Sequence, residues 1–259
     1  KRMELIFDSS PLQALELLAA SLHGMLTNPS TPWFTLRFKQ DNIENEDEAK
    51  LWLESATDAM YTAFNRSNFQ QEIFELYHDL ITFGTAAMFI EEDEEDFIKF
   101  STRHIDEVYI AENDKGRIDT IYRRFNLSAR AVVQKFGTAV SQDILVLEKK
   151  DPYKEVEIVH AVYPRADFDP NKKDKKNMPF ESVYMEYKNG NELSVSGFKE
   201  FPFVVPRYLK ASHEIYGRSP AMTALPDVKM LNEMVKTTIK AAQKQVDPPL
   251  LVPDDGFLL

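Results

Sequence analysis

The sequence predicts an α+β fold: N-terminal helices and an antiparallel sheet, followed by one long helix. Three observations predict it. Apolar residues recur at helical spacing through most of the first 83 positions, the period changes to two from Thr85, and helical spacing returns from Ser219 to about Val246.

Ser10-Pro11 carries an N-cap and first-turn signature, and Leu15, Leu18, Ala19, Leu22, Met25 and Leu26 follow at helical spacing until Asn28-Pro29 stops the run. From Trp33 to Phe38, Phe34, Leu36 and Phe38 alternate with Thr35 and Arg37, which predicts a strand with one buried face. Ala49, Trp52, Leu53, Ala56, Ala59, Met60, Ala63 and Phe64 announce a second helix. A third follows Ser67-Asn68, with Phe69, Ile73, Leu76, Tyr77 and Leu80 on one side and Gly84 placed to end it.

Short strands are expected at 86–90, 97–100 and 118–125, with a turn at Asn113-Asp114-Lys115-Gly116. Ser128 caps a short helix ending near Phe136-Gly137, and Val156, Ile158 and Val162 mark another strand. The tract 172–176, rich in lysine, is a solvated loop. Ser182 to Lys188 and Glu192 to Ser196 flank Asn189-Gly190, the strongest hairpin signal in the chain. Ser219-Pro220 then opens the long helix, which Asp247-Pro248-Pro249 must end. Pro226 removes one backbone donor inside it, so a kink or a separate first segment is expected there.

Hydrophobic residues make up 43% of the 259, enough for a sizeable core in one large domain or two smaller ones. The absence of cysteine excludes disulfides, thiolate chemistry and sulfur-ligated metal. No apolar stretch approaches the roughly 20 residues of a membrane span, so no membrane association is expected. The opening Lys1-Arg2-Met3-Glu4 runs straight into structured sequence, and a preceding segment is expected. A net charge of -11 argues against a general DNA-coating protein, because Lys and Arg neutralising phosphates supply most non-specific affinity.

Nothing here composes an active site. His23, His78, His104, His160 and His213 are scattered without metal-ligand spacing, and the eight glycines form neither a Walker loop nor a dinucleotide fingerprint. The run Glu91-Glu92-Asp93-Glu94-Glu95-Asp96 supports one enzymatic alternative, a metal-dependent nuclease or phosphotransferase, against the reading of a solvated hairpin tip. Asn45-Glu46-Asp47-Glu48 suits the positive end of the second helix. No cofactor is expected. On the last helix Val228, Leu231, Val235, Ile239, Ala242 and Val246 share one face, a candidate for subunit packing. Lys229, Lys236, Lys240 and Lys244 share another, a candidate for contact with DNA or an adjacent subunit.

Several stretches carry a family resemblance: Pro32-Trp33-Phe34, Ser67-Asn68-Phe69, Phe83-Gly84-Thr85-Ala86-Ala87, Tyr216-Gly217-Arg218-Ser219-Pro220-Ala221-Met222, Ala224-Leu225-Pro226-Asp227, Leu231-Asn232, and the run from Asp247 to Pro253. With these the chain resembles the portal, or head-to-tail connector, proteins of short-tailed bacteriophages. The resemblance implies a dodecameric ring at one capsid vertex, a conduit for double-stranded DNA that meets terminase, tail adaptors, capsid and scaffolding proteins. It further implies a wing domain over 1–215, a stem helix over 216–247 and the start of a clip over 248–259. A monomeric adaptor that docks on such a ring is the remaining alternative.

Overall fold

The computed structural model describes residues 5–38, 47–93, 97–169, 172 and 174–249. The chain opening, Asn45-Glu46, the hairpin tip 94–96 and the expected clip from Leu250 onward lie outside them.

Helix α1 (Ser10–Leu26) begins one residue earlier than its sequence signature: Ser9 occupies the cap position, and Ser10 Oγ donates to Asp8 Oδ1 at 2.9 Å. Helix α2 (Asp47–Arg66) carries Asp47 and Glu48 in its first turn, where they complement the helix dipole. Helix α3 (Phe69–Phe83) buries Phe69, Ile73, Leu76, Tyr77 and Ile81, and Gly84 ends it in the left-handed region at φ 77°.

Among the described residues the segment Trp33–Phe38 pairs with no strand, which corrects the sequence expectation. Its alternation is real, since Phe34, Leu36 and Phe38 are half-buried and Thr35 and Arg37 exposed. Helix α2 takes the place of a neighbouring strand. The Tyr61 hydroxyl accepts from the amides of Trp33 and Phe34 at 2.6 and 2.7 Å and donates to the Phe34 carbonyl at 2.9 Å. Phe34 stacks on Tyr61 and Phe38 on Trp52. Side chains of a helix thus satisfy the amides that a ladder would otherwise have satisfied.

Strands β1 (Ala87–Asp93) and β2 (Phe97–Arg103) form an antiparallel hairpin, and β8 (Phe203–Val204) completes a three-stranded sheet in the order β2-β1-β8. Period-two alternation splits β1 between two cores. Met88 packs with Phe69, Ile73, Leu76 and Phe100 under α3, while Ala87 and Phe89 join Ile110, Ile121 and Val162 on the other side. Asn68 fastens α3 to the sheet by donating to the Phe100 carbonyl and accepting from its amide.

The second sheet is antiparallel and runs β3 (Val108–Glu112), β4 (Ile118–Ser128), β5 (Glu155–Pro164), β6 (Phe180–Glu186), β7 (Glu192–Phe198) in spatial order. The predicted turn at Asn113–Gly116 joins β3 to β4, and the Asn189-Gly190 turn joins β6 to β7. Helices α4 (Ala129–Phe136) and α5 (Gln142–Lys150) sit between β4 and β5, and their Ala129, Val132 and Ile144 cover Phe125 and Ile158. Both covers lie on one face of this sheet. Cross-strand register sets Ile121 beside Val162 beneath the three-stranded sheet, and Phe125 beside Ile158 beneath α4 and α5.

Helix α6 (Pro220–Val246) is one continuous helix. Pro226 lies within it without setting off a separate first segment. At about 1.5 Å per residue it is a rod of roughly 40 Å.

Candidate functional site

Helix α6 leaves the folded body at a backbone crossing between Gly84 and Gly217. A Cβ on Gly84 would come within 2.6 Å of the Arg218 carbonyl carbon, and one on Gly217 would overlap the Gly84 carbonyl oxygen. Two segments therefore touch main chain to main chain, which only glycine allows. The Gly217 amide donates to Thr85 Oγ1 at 2.7 Å, the Tyr208 amide to the Gly84 carbonyl at 2.9 Å, and the Arg218 amide to the Leu209 carbonyl at 2.7 Å. Ser219 then serves both partners. Its Oγ accepts from the Met222 amide as the cap of α6 and donates to the Thr82 carbonyl at the end of α3, both at 2.9 Å.

A second set of contacts ties the approach to α6 onto the edge of the five-stranded sheet. Glu112 pairs with Arg207 and, at 2.6 Å, with Lys210. Lys210 and Arg207 together hold the Glu112 carboxyl below its usual range. The Tyr216 hydroxyl accepts from the Ile110 amide and donates to the Val108 carbonyl, occupying edge groups that β3 leaves free.

Beyond this anchorage the rod is open to solvent. No residue of α6 is buried. On the predicted packing face Val228 and Val235 are half-buried, Leu231 and Ile239 are 40% and 41% exposed, Ala242 is exposed and Val246 is 86% exposed. Of the lysines, Lys229, Lys240 and Lys244 are exposed. Lys236 is half-buried, donates to both carboxylate oxygens of Glu233 at 2.8 and 3.0 Å, and stands over the Phe7 ring. From position 237 onward every described residue of the helix is exposed.

Sequence reasoning missed Asn232 as a structural residue. Its Oδ1 accepts from the amides of Phe7 and Asp8, and its Nδ2 donates to the Leu5 carbonyl, so the N-terminal segment is strapped across α6. Periodicity could not find it, because Asn232 sits between the apolar and lysine faces; only the Leu231-Asn232 pair within the resemblance marked it.

Glu91, Glu92 and Asp93 of the acidic run belong to β1, where Glu91 lies opposite Lys99. Among the described residues no group of three or more His, Asp or Glu is placed to hold a metal ion. His160 is buried and stacked on Tyr184, its Nε2 2.9 Å from Ser182 Oγ. Burial, reinforced by Lys135, Arg123 and Arg103, pushes its pKa down to about 3, so it is neutral at physiological pH. No described helix is long and apolar enough to cross a membrane.

Two stretches of the resemblance, Phe83–Ala87 and the more specific Tyr216–Met222, are the two sides of the glycine crossing. A family profile described as bacteriophage head to tail connecting protein matches residues 1–258. The portal protein of Salmonella phage epsilon15 is 33% identical over 258 residues, covering 98% of this chain and 46% of its own length. The probable portal protein of Bordetella phage BPP-1 is 33% identical over 257 residues, with the same coverage. The chain thus spans under half the length of these relatives. An anchored, solvated rod, the matched crossing and likeness along almost the entire chain lead to one conclusion: this chain belongs to the bacteriophage head to tail connecting protein family, the portal proteins.

Proposed function

We propose that residues 1–215 are the wing, 216–247 the first stem helix and 248–259 the start of the clip of a portal subunit. Copies assemble into a homo-oligomeric, dodecameric ring at one vertex of the virion capsid, after synthesis in the host cytoplasm. The ring conducts double-stranded genomic DNA inward during packaging and outward during ejection. Terminase and then tail adaptors dock on it, and capsid and scaffolding proteins surround it. Its role is structural, with no reaction of its own.

One observation carries this reading: α6 is fixed at its N-terminal end by main-chain contacts, yet no residue along its 27 positions is buried. Fully burying one Leu, Ile or Val side chain contributes about 1.5–3 kcal/mol, so Val246 leaves most of that stabilisation unused in a single copy and Leu231 and Ile239 a part of it. Heterologous contacts that repeat around an axis recover it and close into a ring. The net charge of -11 suits a conduit, since negative walls do not hold DNA, and Lys229, Lys240 and Lys244 supply a weak phosphate track.

Light scattering and electron images of the complete protein test the proposal. Large annular particles are expected; a complete protein that stays solitary in solution and forms no annulus in virions overturns it.

A further inference from the structure

Between the two covers on the five-stranded sheet runs a cross-strand row whose centre, His160, is buried and whose ends, Arg123 and Tyr184, are half-buried. Arg123 of β4, His160 of β5 and Tyr184 of β6 stand abreast in register, two residues from the Ile121–Val162 row on one side and two from the Phe125–Ile158 row on the other. Side chains from the two covers converge above it. The β1–β2 register puts Lys99 and Arg103 on the same face of the hairpin as Phe89, whose ring meets His160 at 5.7 Å. Arg103 lies over that Phe89 ring, Lys135 of α4 stands 4.5 Å from the Tyr184 ring, and Arg123 lies 3.7 Å from the Phe125 ring.

Four cations therefore share one seam, and Glu91 and Glu107 are the carboxylates that act on Arg103 and Lys135. Glu107 is taken by Arg123 at 2.8 Å. Among the described residues, neither Arg103 nor Lys135 makes an ion pair. Among the described residues their close partners are ring faces, which are weaker acceptors than a carboxylate. Burial holds both groups below their ordinary pKa values; Arg123 adds to the effect on Arg103, and Arg103, Arg123 and Lys99 add to it on Lys135 against the pull of Glu91. Lys135 is exposed as a residue, and its ammonium stands over the Tyr184 ring. Among the described residues the seam is cationic, partly dehydrated and holds two cations without an ion pair.

We infer that this seam receives carboxylate side chains from a second copy of the chain, an inference that rests on the ring reading above. The charge balance selects that occupant. Asp and Glu number 42 against 31 Lys and Arg, so copies brought side by side repel, and carboxylates are what a neighbour most often presents. A local cationic seam turns that repulsion into directional attraction between unlike patches, as a heterologous contact requires. Duplex DNA fits it less well, because phosphates on a rigid cylinder reach cations that stand proud of a surface. The Arg123 side chain is only 13% exposed, and Arg103 is half-buried, within reach of a protruding side chain.

The test uses the complete protein, with rings assembled from equal parts of ¹⁵N-labelled and unlabelled copies and coupled with a carbodiimide. Peptide mass spectrometry then reads which lysines have joined which carboxylates. Mixed-isotope links from Lys135 or Lys99 to Asp or Glu are expected; the Lys135→Arg variant keeps the ring and loses the Lys135 links. Paired R103Q and K135Q substitutions raise the concentration for half-assembly about tenfold at low salt and much less at high salt. Rings whose seam lysines link only within one copy overturn the inference while leaving the ring reading intact. So does shielding of Lys135 from acetylation by added duplex DNA rather than by assembly. A complete protein that forms no ring overturns both.

Discussion

In the five-stranded sheet Ile121, Ile158 and Val162 are fully buried by the chain's own residues, whereas along α6 residues of the same kind stand in water. Register makes the sheet self-sufficient: β4 and β5 turn Ile121, Phe125, Ile158 and Val162 to the face that β1, β8, α4 and α5 cover. The rod has no such cover beyond the N-terminal strap at Asn232 and the end of α3. The contrast divides the labour within one chain. The sheet stabilises a single copy, and the rod keeps apolar surface that, under the ring proposal, neighbouring copies would cover.

Substitution separates the two regions. Ile158→Ala should cost about 3 kcal/mol of unfolding free energy, read by denaturant melts, because it opens a cavity under α4 and α5. Ile239→Ala should change the same melt by under about 0.5 kcal/mol, as exposed positions do, yet lower the yield of rings. Equal costs at both sites would erase the contrast.

Gly84→Ala tests the link between the regions. It forces a side chain into the Arg218 main chain at a positive φ, and a loss of about 3 kcal/mol is expected, or roughly 10 °C in Tm. A wild-type melting temperature would mean that the crossing is looser than its geometry implies.

Acid should weaken the sheet before the rod. The folded-state pKa of His160 lies near 3, below the 6.5 of an unfolded chain, so its contribution is complete above pH 6.5 and is lost as pH falls from 6.5 towards 3. The slope is about 1.4 kcal/mol per pH unit for this one proton. The His160→Gln variant should show a flatter profile over that window.

The smallest effect on folding belongs to the lysine stripe. Replacing Lys229, Lys236, Lys240 and Lys244 together with Gln should move the melt by less than about 1 kcal/mol, since three are exposed and only Lys236 is paired. DNA packaged per particle should fall. Unchanged packaging and unchanged ring yield would leave the stripe without a role.

Much of this was legible in the sequence because it is local. Phe69 to Tyr77 at helical spacing with Gly84 behind them, the Asn189-Gly190 hairpin, and Ser219-Pro220 opening a helix that Asp247 closes all fold as their spacing dictates. The failures are matters of partner, or of runs too short or too uniform to show a period. Trp33–Phe38 alternates as a strand does, but α2 rather than a strand lies beside it, and alternation does not say what satisfies the amides. The run around Ile144–Leu147 is apolar without a clear period, so α5 went unseen, and β3 is five residues hidden beside its turn. The cationic seam depends on register between β4, β5 and β6 and on two separate covers, none of which a linear reading contains.

The most direct measurement of the central claim is a set of distances between copies of α6. The 259 residues contain no cysteine, so a spin label on an Ile239→Cys substitution reports this helix when the complete protein is otherwise free of reactive thiols. Dipolar spectra should contain several discrete distances in the ratios of a closed ring, with the label immobilised by packing. A freely mobile label with no dipolar modulation between copies would contradict the account.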